Sequence, residues 1–249
     1  VRRRDILAVA GGYAHNHPEL FSMEVWGGAT FDVALRVLHE CPWTRLQEIR
    51  KAMPNMLLQM LFRGFNAVGY SAYPRNVIYK FIEQSWENGV DIFRIFDSLN
   101  NMESMRPAIE HVVKNTGGLA QPAICYTGDV LRKENNKYDL QYYLDMARRL
   151  EDTGAHILAI KDMAGLLKPD AATVLIATLK EHISMPIALH SHDTAGTQIA
   201  TYLNAINAGV DAIDCSLASF SGTTAQPNLN SLIALLKNQD RRNGTDLNS

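Results

Sequence analysis

Apolar runs of four to seven residues alternate with amphipathic stretches along most of the chain. The runs Leu20 to Val25, Met56 to Phe62, Asp91 to Phe96, Pro122 to Tyr126, His156 to Ile160, Pro186 to Leu189 and Ala212 to Leu217 read as strands. Several are nearly continuous in apolar character, as strands covered on both faces are. Between them, apolar positions recur at helical spacing, as in Val77, Phe81, Ile82 and Trp86, or Leu140, Tyr143, Leu144, Ala147 and Leu150. Gly89, Gly154 and Gly209 stand where those helices should stop. Asp5 is expected to cap a first helix through Ile6, Leu7, Val9 and Ala10, which Gly11-Gly12 should end. Residues 237–249 turn polar and read as a tail or linker.

Seven strand–helix units imply a parallel sheet with right-handed crossovers. No G-x-G-x-x-G follows a strand, which disfavours a dinucleotide fold. The expectation is an α/β chain of the (β/α)8 TIM-barrel type over residues 1–236, with seven visible units and a first strand expected upstream of Val1.

Composition narrows the class. With 249 residues and 47% hydrophobic content the chain can bury one sizeable core. A formal charge of −2 points away from nucleic acid, and no apolar run is long enough to suggest a membrane span. Cys41, Cys125 and Cys215 form no C-x-x-C pair and fit a reducing compartment.

In such barrels the chemistry lies where strands end. That rule selects Trp26 and Asp32, Arg63, Asp97, Thr127 and Asp129, Lys161 and Asp162, His190 and His192, and Ser219 and Ser221. His15 and His17 precede a strand and belong to the opposite face. His190 and His192, two apart in an extended segment, project to one side and make half of a metal site suited to zinc or manganese. Arg63 suits a carboxylate substrate, or else a salt bridge to Asp97 or Asp32. Lys161 beside a cation requires a carboxylate partner, deprotonation, or modification that turns an oxygen to the ion; a Lys161–Asp97 ion pair is the ordinary alternative.

Six blocks carry a resemblance. They are Phe21 to Asp32, Gln59 to Gly64, Asn66 to Tyr70, Phe93 to Asn100, Ile160 to Leu167 and His190 to Gly196. Together, in this order, they resemble the carboxyltransferase domain of the pyruvate carboxylase family. The alpha subunit of oxaloacetate decarboxylase and the transcarboxylase subunit share most blocks, whereas Cys41-Pro42-Trp43 and Asn66 to Tyr70 look more like pyruvate carboxylases. The resemblance implies carboxyl transfer from carboxybiotin, borne on a carrier domain, to pyruvate, with ATP used on another domain. It implies a divalent metal, zinc or manganese, on His190, His192 and Lys161, the last as its carbamate. It makes Arg63 the holder of the pyruvate carboxylate and places Tyr70, Asp32 and Asp97 in the same pocket, with Arg63, Lys161 and Asp97 catalytic. It also implies a homo-oligomer, a tetramer in the full-length family, in a bacterial cytoplasm or a mitochondrial matrix.

Three features of that family are missing here: its D-x-T-x-R-D-A-H-Q-S type block with an aspartate metal ligand, its proton-shuttling threonine and its biotin-attachment A-M-K-M. Competing expectations are therefore a decarboxylase or transcarboxylase subunit, a metal-dependent aldol-type lyase, and a folded but inert fragment.

Overall fold

The computed structural model describes residues 1–132 and 137–241. Helix α1 (Arg3–Asn16) precedes strand β1 (Ser22–Trp26), followed by α2 (Thr30–Arg36), α3 (Pro42–Ala52), β2 (Leu57–Phe62), α4 (Arg75–Glu87), β3 (Ile92–Phe96) and α5 (Met102–Asn115). Then come β4 (Leu119–Cys125), α6 (Leu140–Glu151), β5 (Leu158–Asp162), α7 (Pro169–His182), β6 (Ile187–Ser191), α8 (Gln198–Asn207), β7 (Ala212–Ile213) and α9 (Leu229–Leu236). The strands join one sheet in chain order, β1 to β7. The pairs β1–β2, β2–β3, β4–β5, β5–β6 and β6–β7 are parallel. This is the strand–helix succession of a (β/α)8 barrel with seven strands among the described residues, as expected from the alternation. No helix among those residues is long and apolar enough to cross a membrane.

Two compact units divide the chain. One comprises Val1–Asp97 and Asn101–Pro122; the other comprises Ser98–Asn100 and the described residues from Ala123 onward. In the first, β3 is buried along its whole length. Trp26, Phe31, Trp43 and Phe81 form an aromatic cluster with ring centroids 5.3 to 6.2 Å apart. Trp26, a strand-end candidate, is the last residue of β1, is 1% exposed and belongs to this core. In the second unit β5 and β6 are buried throughout. That is the environment their unbroken apolar runs require.

Several expected boundaries move. α1 runs through Gly11-Gly12 to Asn16, with His17 N–H donating to Tyr13 O at the end. Neither glycine has positive φ, so neither makes the left-handed turn by which glycine stops a helix. Each costs about 1 kcal/mol relative to alanine, which burial of Ala10 and Ala14 and the Asn55 Nδ2 donation to Ala14 O at 2.9 Å offset. Asp5 is not the cap; it sits within the first turn and accepts from Arg2 N at 3.1 Å. Pro122 lies inside β4 rather than at its start. Lys161 and Asp162 are the last two residues of β5, and His190 is inside β6. β7 has only two residues, Ala212 and Ile213, far short of Leu217. Of the expected tail, Arg241 donates from Nη2 to Val210 O, and residues 242–249 lie outside the described residues.

Candidate active site

Arg63 follows directly on β2 and opens a tight turn. Its N–H donates to Ala67 O at 2.8 Å, and a short 3-10 turn, Gly64–Asn66, ends at Ala67 with φ +47°. The turn aims the half-buried guanidinium back toward β1. Nη1 donates to Gly69 O at 3.0 Å and Nη2 donates to Gly28 O. The guanidinium carbon lies 5.0 Å from the centroid of the Tyr70 ring, a cation–π distance. Donors remain on both η nitrogens and on Nε, and the fork is immobilised before any ligand arrives.

Gly28 is part of that arrangement. A Cβ there would stand 2.8 Å from Arg63 Nη2 and 3.3 Å from Leu61 Cδ2. The guanidinium is the flexible member, so it would yield while the strands stayed in place. Gly28→Ala is expected to raise the KM for a carboxylate substrate held by Arg63 about tenfold, the loss of one charge-assisted bond of ~1.5 kcal/mol. The melting temperature should stay near wild type. An unchanged KM would show that the guanidinium position does not matter for binding.

The other candidates of this unit are held separately. Asp32, in the first turn of α2, accepts from Arg36 one turn on, with Nε 2.7 Å from Oδ1. Asp97 accepts from Asn101 N at 3.1 Å, where α5 begins. Tyr70 is exposed. His15 is exposed and His17 is half-buried, both ahead of β1 as expected.

In the second unit Lys161 and His190 are register partners across β5 and β6. Lys161 Nζ is 3.3 Å from His190 Nε2, and both residues are buried. His192, two residues on, has its ring centroid 5.0 Å from that of His190. Burial first, and then the positive charge of Lys161, hold the His192 pKa below the ordinary histidine value. A neutral imidazole is the form that binds metal. Asp162, beside Lys161, is an anchor for the loop. Its carboxylate accepts from Leu166 N and Leu167 N at 2.9 Å and from Ser191 Oγ at 2.8 Å. Gly165 completes the loop with φ +68°, and a Cβ there would meet His192 O at 2.7 Å. The Lys-Asp-Met-Ala-Gly block therefore holds the segment carrying His192 against the end of β5.

Two neighbours of His190 escaped the strand-end reading. Asp214 Oδ2 lies 2.8 Å from His190 Nδ1. Gln226 Nε2 lies 3.4 Å from His190 Nε2, and the Ser216 hydroxyl donates to the Gln226 carbonyl oxygen at 3.1 Å. Asp214 had a signal, a carboxylate breaking the apolar run Ala212-Ile213; Gln226 had none. The remaining strand-end candidates serve the loops. Asp129 pairs with Lys168 at 2.8 Å, Thr127 N donates to Tyr143 Oη at 2.9 Å, and Ser221 Oγ donates to Ala218 O at 2.9 Å.

For a divalent cation, the donor set offers the buried His190 imidazole and Lys161 nitrogen with the half-buried His192 imidazole beside them. No group of three His, Cys, Asp or Glu side chains able to hold an ion occurs among the described residues. Two nitrogen ligands with a third from a modified Lys161 fit a transition-metal ion, and an unmodified ammonium does not.

Comparison with known proteins bears on both units. Residues 129–249 match the HMGL-like family. The chain is 54% identical over 242 residues to pyruvate carboxylase of Bacillus subtilis, covering 97% of this chain and 21% of that protein. It is 51% identical over 235 residues to the mitochondrial pyruvate carboxylase of Homo sapiens, covering 94% of this chain and 20% of that protein. The carboxyl transferase domain of Rhizobium etli pyruvate carboxylase, solved with pyruvate and biocytin, superposes with a TM-score of 0.97 at 50% identity, covering 99% of this chain and 41% of that one. The chain thus spans about a fifth of the length of the curated relatives it matches.

Proposed function

We propose that this chain, homologous to the carboxyltransferase domain of pyruvate carboxylases over nearly its whole length, forms the pyruvate side of a biotin-dependent carboxylation. The carboxyl group of carboxybiotin, delivered by a carrier domain, leaves the ureido nitrogen for the methyl carbon of pyruvate, the methyl proton passes in exchange to that nitrogen, and oxaloacetate results. ATP is consumed at another domain of the complete protein, which acts as a homo-oligomer.

Arg63 binds the pyruvate carboxylate through the donors its backbone contacts leave open, in the bidentate manner that guanidinium favours. Tyr70 packs on the guanidinium and keeps it flat. Asp32 and Asp97 assist in orienting the substrate or biotin. His190, His192 and Lys161, the last as its carbamate, would hold a zinc or manganese ion. When bound, that ion supplies Lewis-acid stabilisation of the charge that develops on the ketone oxygen. Burial and the charge of Lys161 favour the neutral form of His192, which is the form that binds metal.

The observation that carries this reading is the placement of Lys161 Nζ 3.3 Å from His190 Nε2, in a chain half identical to carboxyltransferase domains. A lysine beside the histidine pair suits carbamate ligation and argues against an aldol-type lyase. The test is an assay of the complete protein with pyruvate, bicarbonate and ATP. Oxaloacetate formation that requires all three is expected. Biotin-dependent decarboxylation of oxaloacetate without ATP would reassign the chain to the decarboxylase subunits.

A further inference from the structure

We infer that Asp214 is a positioning residue that locks the His190 ring in one tautomer and one orientation, with Nε2 bare toward the ion. The inference rests on the proposed role of His190 as a metal ligand. β6 and β7 pair with Ala188 opposite Ala212 and Leu189 opposite Ile213. One step further along both segments, His190 faces Asp214. The strand proper stops at Ile213, yet Asp214 N–H still donates to Leu189 O at 3.0 Å. The aspartate backbone is thereby tied to β6 at the level of the histidine.

The Oδ2–Nδ1 separation of 2.8 Å is that of a charge-assisted hydrogen bond. An ionised carboxylate can only accept, so the proton resides on Nδ1. Nε2 of the neutral ring then carries a lone pair. The other side of the ring agrees, since Lys161 Nζ at 3.3 Å and Gln226 Nε2 at 3.4 Å from Nε2 are both donors. The Ser216 hydroxyl donates to the Gln226 amide oxygen, which favours the orientation with Nε2 toward His190. With a side chain only 8% exposed, His190 has little access to solvent that could reorient it. His192 differs: the Thr224 backbone acts on its ring, and Asp162 acts only through its charge. A carboxylate partner raises the basicity of the bare nitrogen and fixes the ring plane, so His190 is the more firmly directed of the two ligands.

The test uses the chain labelled with nitrogen-15 and free of metal. Long-range proton–nitrogen correlation reads the tautomer of each histidine, and His190→Gln assigns the signal. Wild type is expected to show His190 protonated at Nδ1, with an exchange-protected ring proton. Asp214→Asn should give a mixture of tautomers at His190 and leave His192 unchanged. Zinc binding, followed by competition with a chromophoric chelator, should weaken roughly 10- to 100-fold in that variant. An Nε2-protonated His190 in wild type would overturn the inference even if the variant fails to fold. So would an Asp214→Asn chain with wild-type tautomer and wild-type zinc affinity. A wild-type chain with the Nδ1 tautomer that takes up no zinc would support the lock and instead overturn the ligand role of His190.

Discussion

On the proposed function, replacing Lys161 with alanine is expected to abolish oxaloacetate formation in the complete protein. Lys161 is 5% exposed and shares the buried space around His190 Nε2. An ammonium a few Å from a divalent ion would be repelled by roughly 8 kcal/mol at ~4 Å and an effective dielectric of ~20. Reaction of the neutral amine with carbon dioxide, releasing a proton, reverses that sign and adds an oxygen ligand. Alanine offers neither form, so bound metal should fall to a small fraction of wild type. If the ion contributes about 4 kcal/mol to the transition state, turnover falls ~10³-fold. Metal analysis and intact mass of the wild-type protein, with and without bicarbonate, should show metal and the added carboxyl group rising together. A Lys161→Ala protein with a full metal complement would remove lysine from the ligand set. Melting temperature separates loss of the site from loss of the fold.

Arg63→Lys is expected to lose oxaloacetate formation by about 10²-fold, corresponding to ~3 kcal/mol for a bidentate charge-assisted contact replaced by a point charge. The scaffold around Arg63 explains why a cation alone does not suffice. Its guanidinium bonds simultaneously to Gly69 O and Gly28 O and stacks on Tyr70 at 5.0 Å. A lysine ammonium cannot make both carbonyl bonds, pack flat on the ring and still present a fork to the substrate. Biotin carboxylation, which the proposed function assigns to another domain, should keep its rate. Near-normal turnover of pyruvate by Arg63→Lys would refute the role, and an equal loss in both half-reactions would point to a damaged fold.

Pattern alone revealed much of this molecule. Strand runs buried on both faces are apolar throughout, and helices covered on one face are periodic, so the seven units could be read in order. Strand polarity then separated His190 and His192 from His15 and His17, because parallel strands present all their C-terminal ends alike. Local signals that act in two ways were less legible. Gly11-Gly12 could stop a helix or pass through one, and packing of Ala10 and Ala14 decided in favour of continuation. Asp162 carried the same look as Lys161, yet alternation along β5 sends adjacent side chains to opposite faces. One joins His190 and the other clamps the following loop.

What the sequence determined by itself is the order of the elements and the position of Arg63, Lys161, His190 and His192 at or just beyond the C-terminal ends of strands, since apolar runs and their polar ends are visible in each segment alone. The tertiary structure alone decided their partners. Asp214 meets His190 through the register of β6 with a strand only two residues long. Gln226 reaches His190 from 36 residues away, and Gly28 bounds Arg63 from 35 away. Such contacts depend on register and loop path, which are properties of paired segments and leave no trace in either segment read singly.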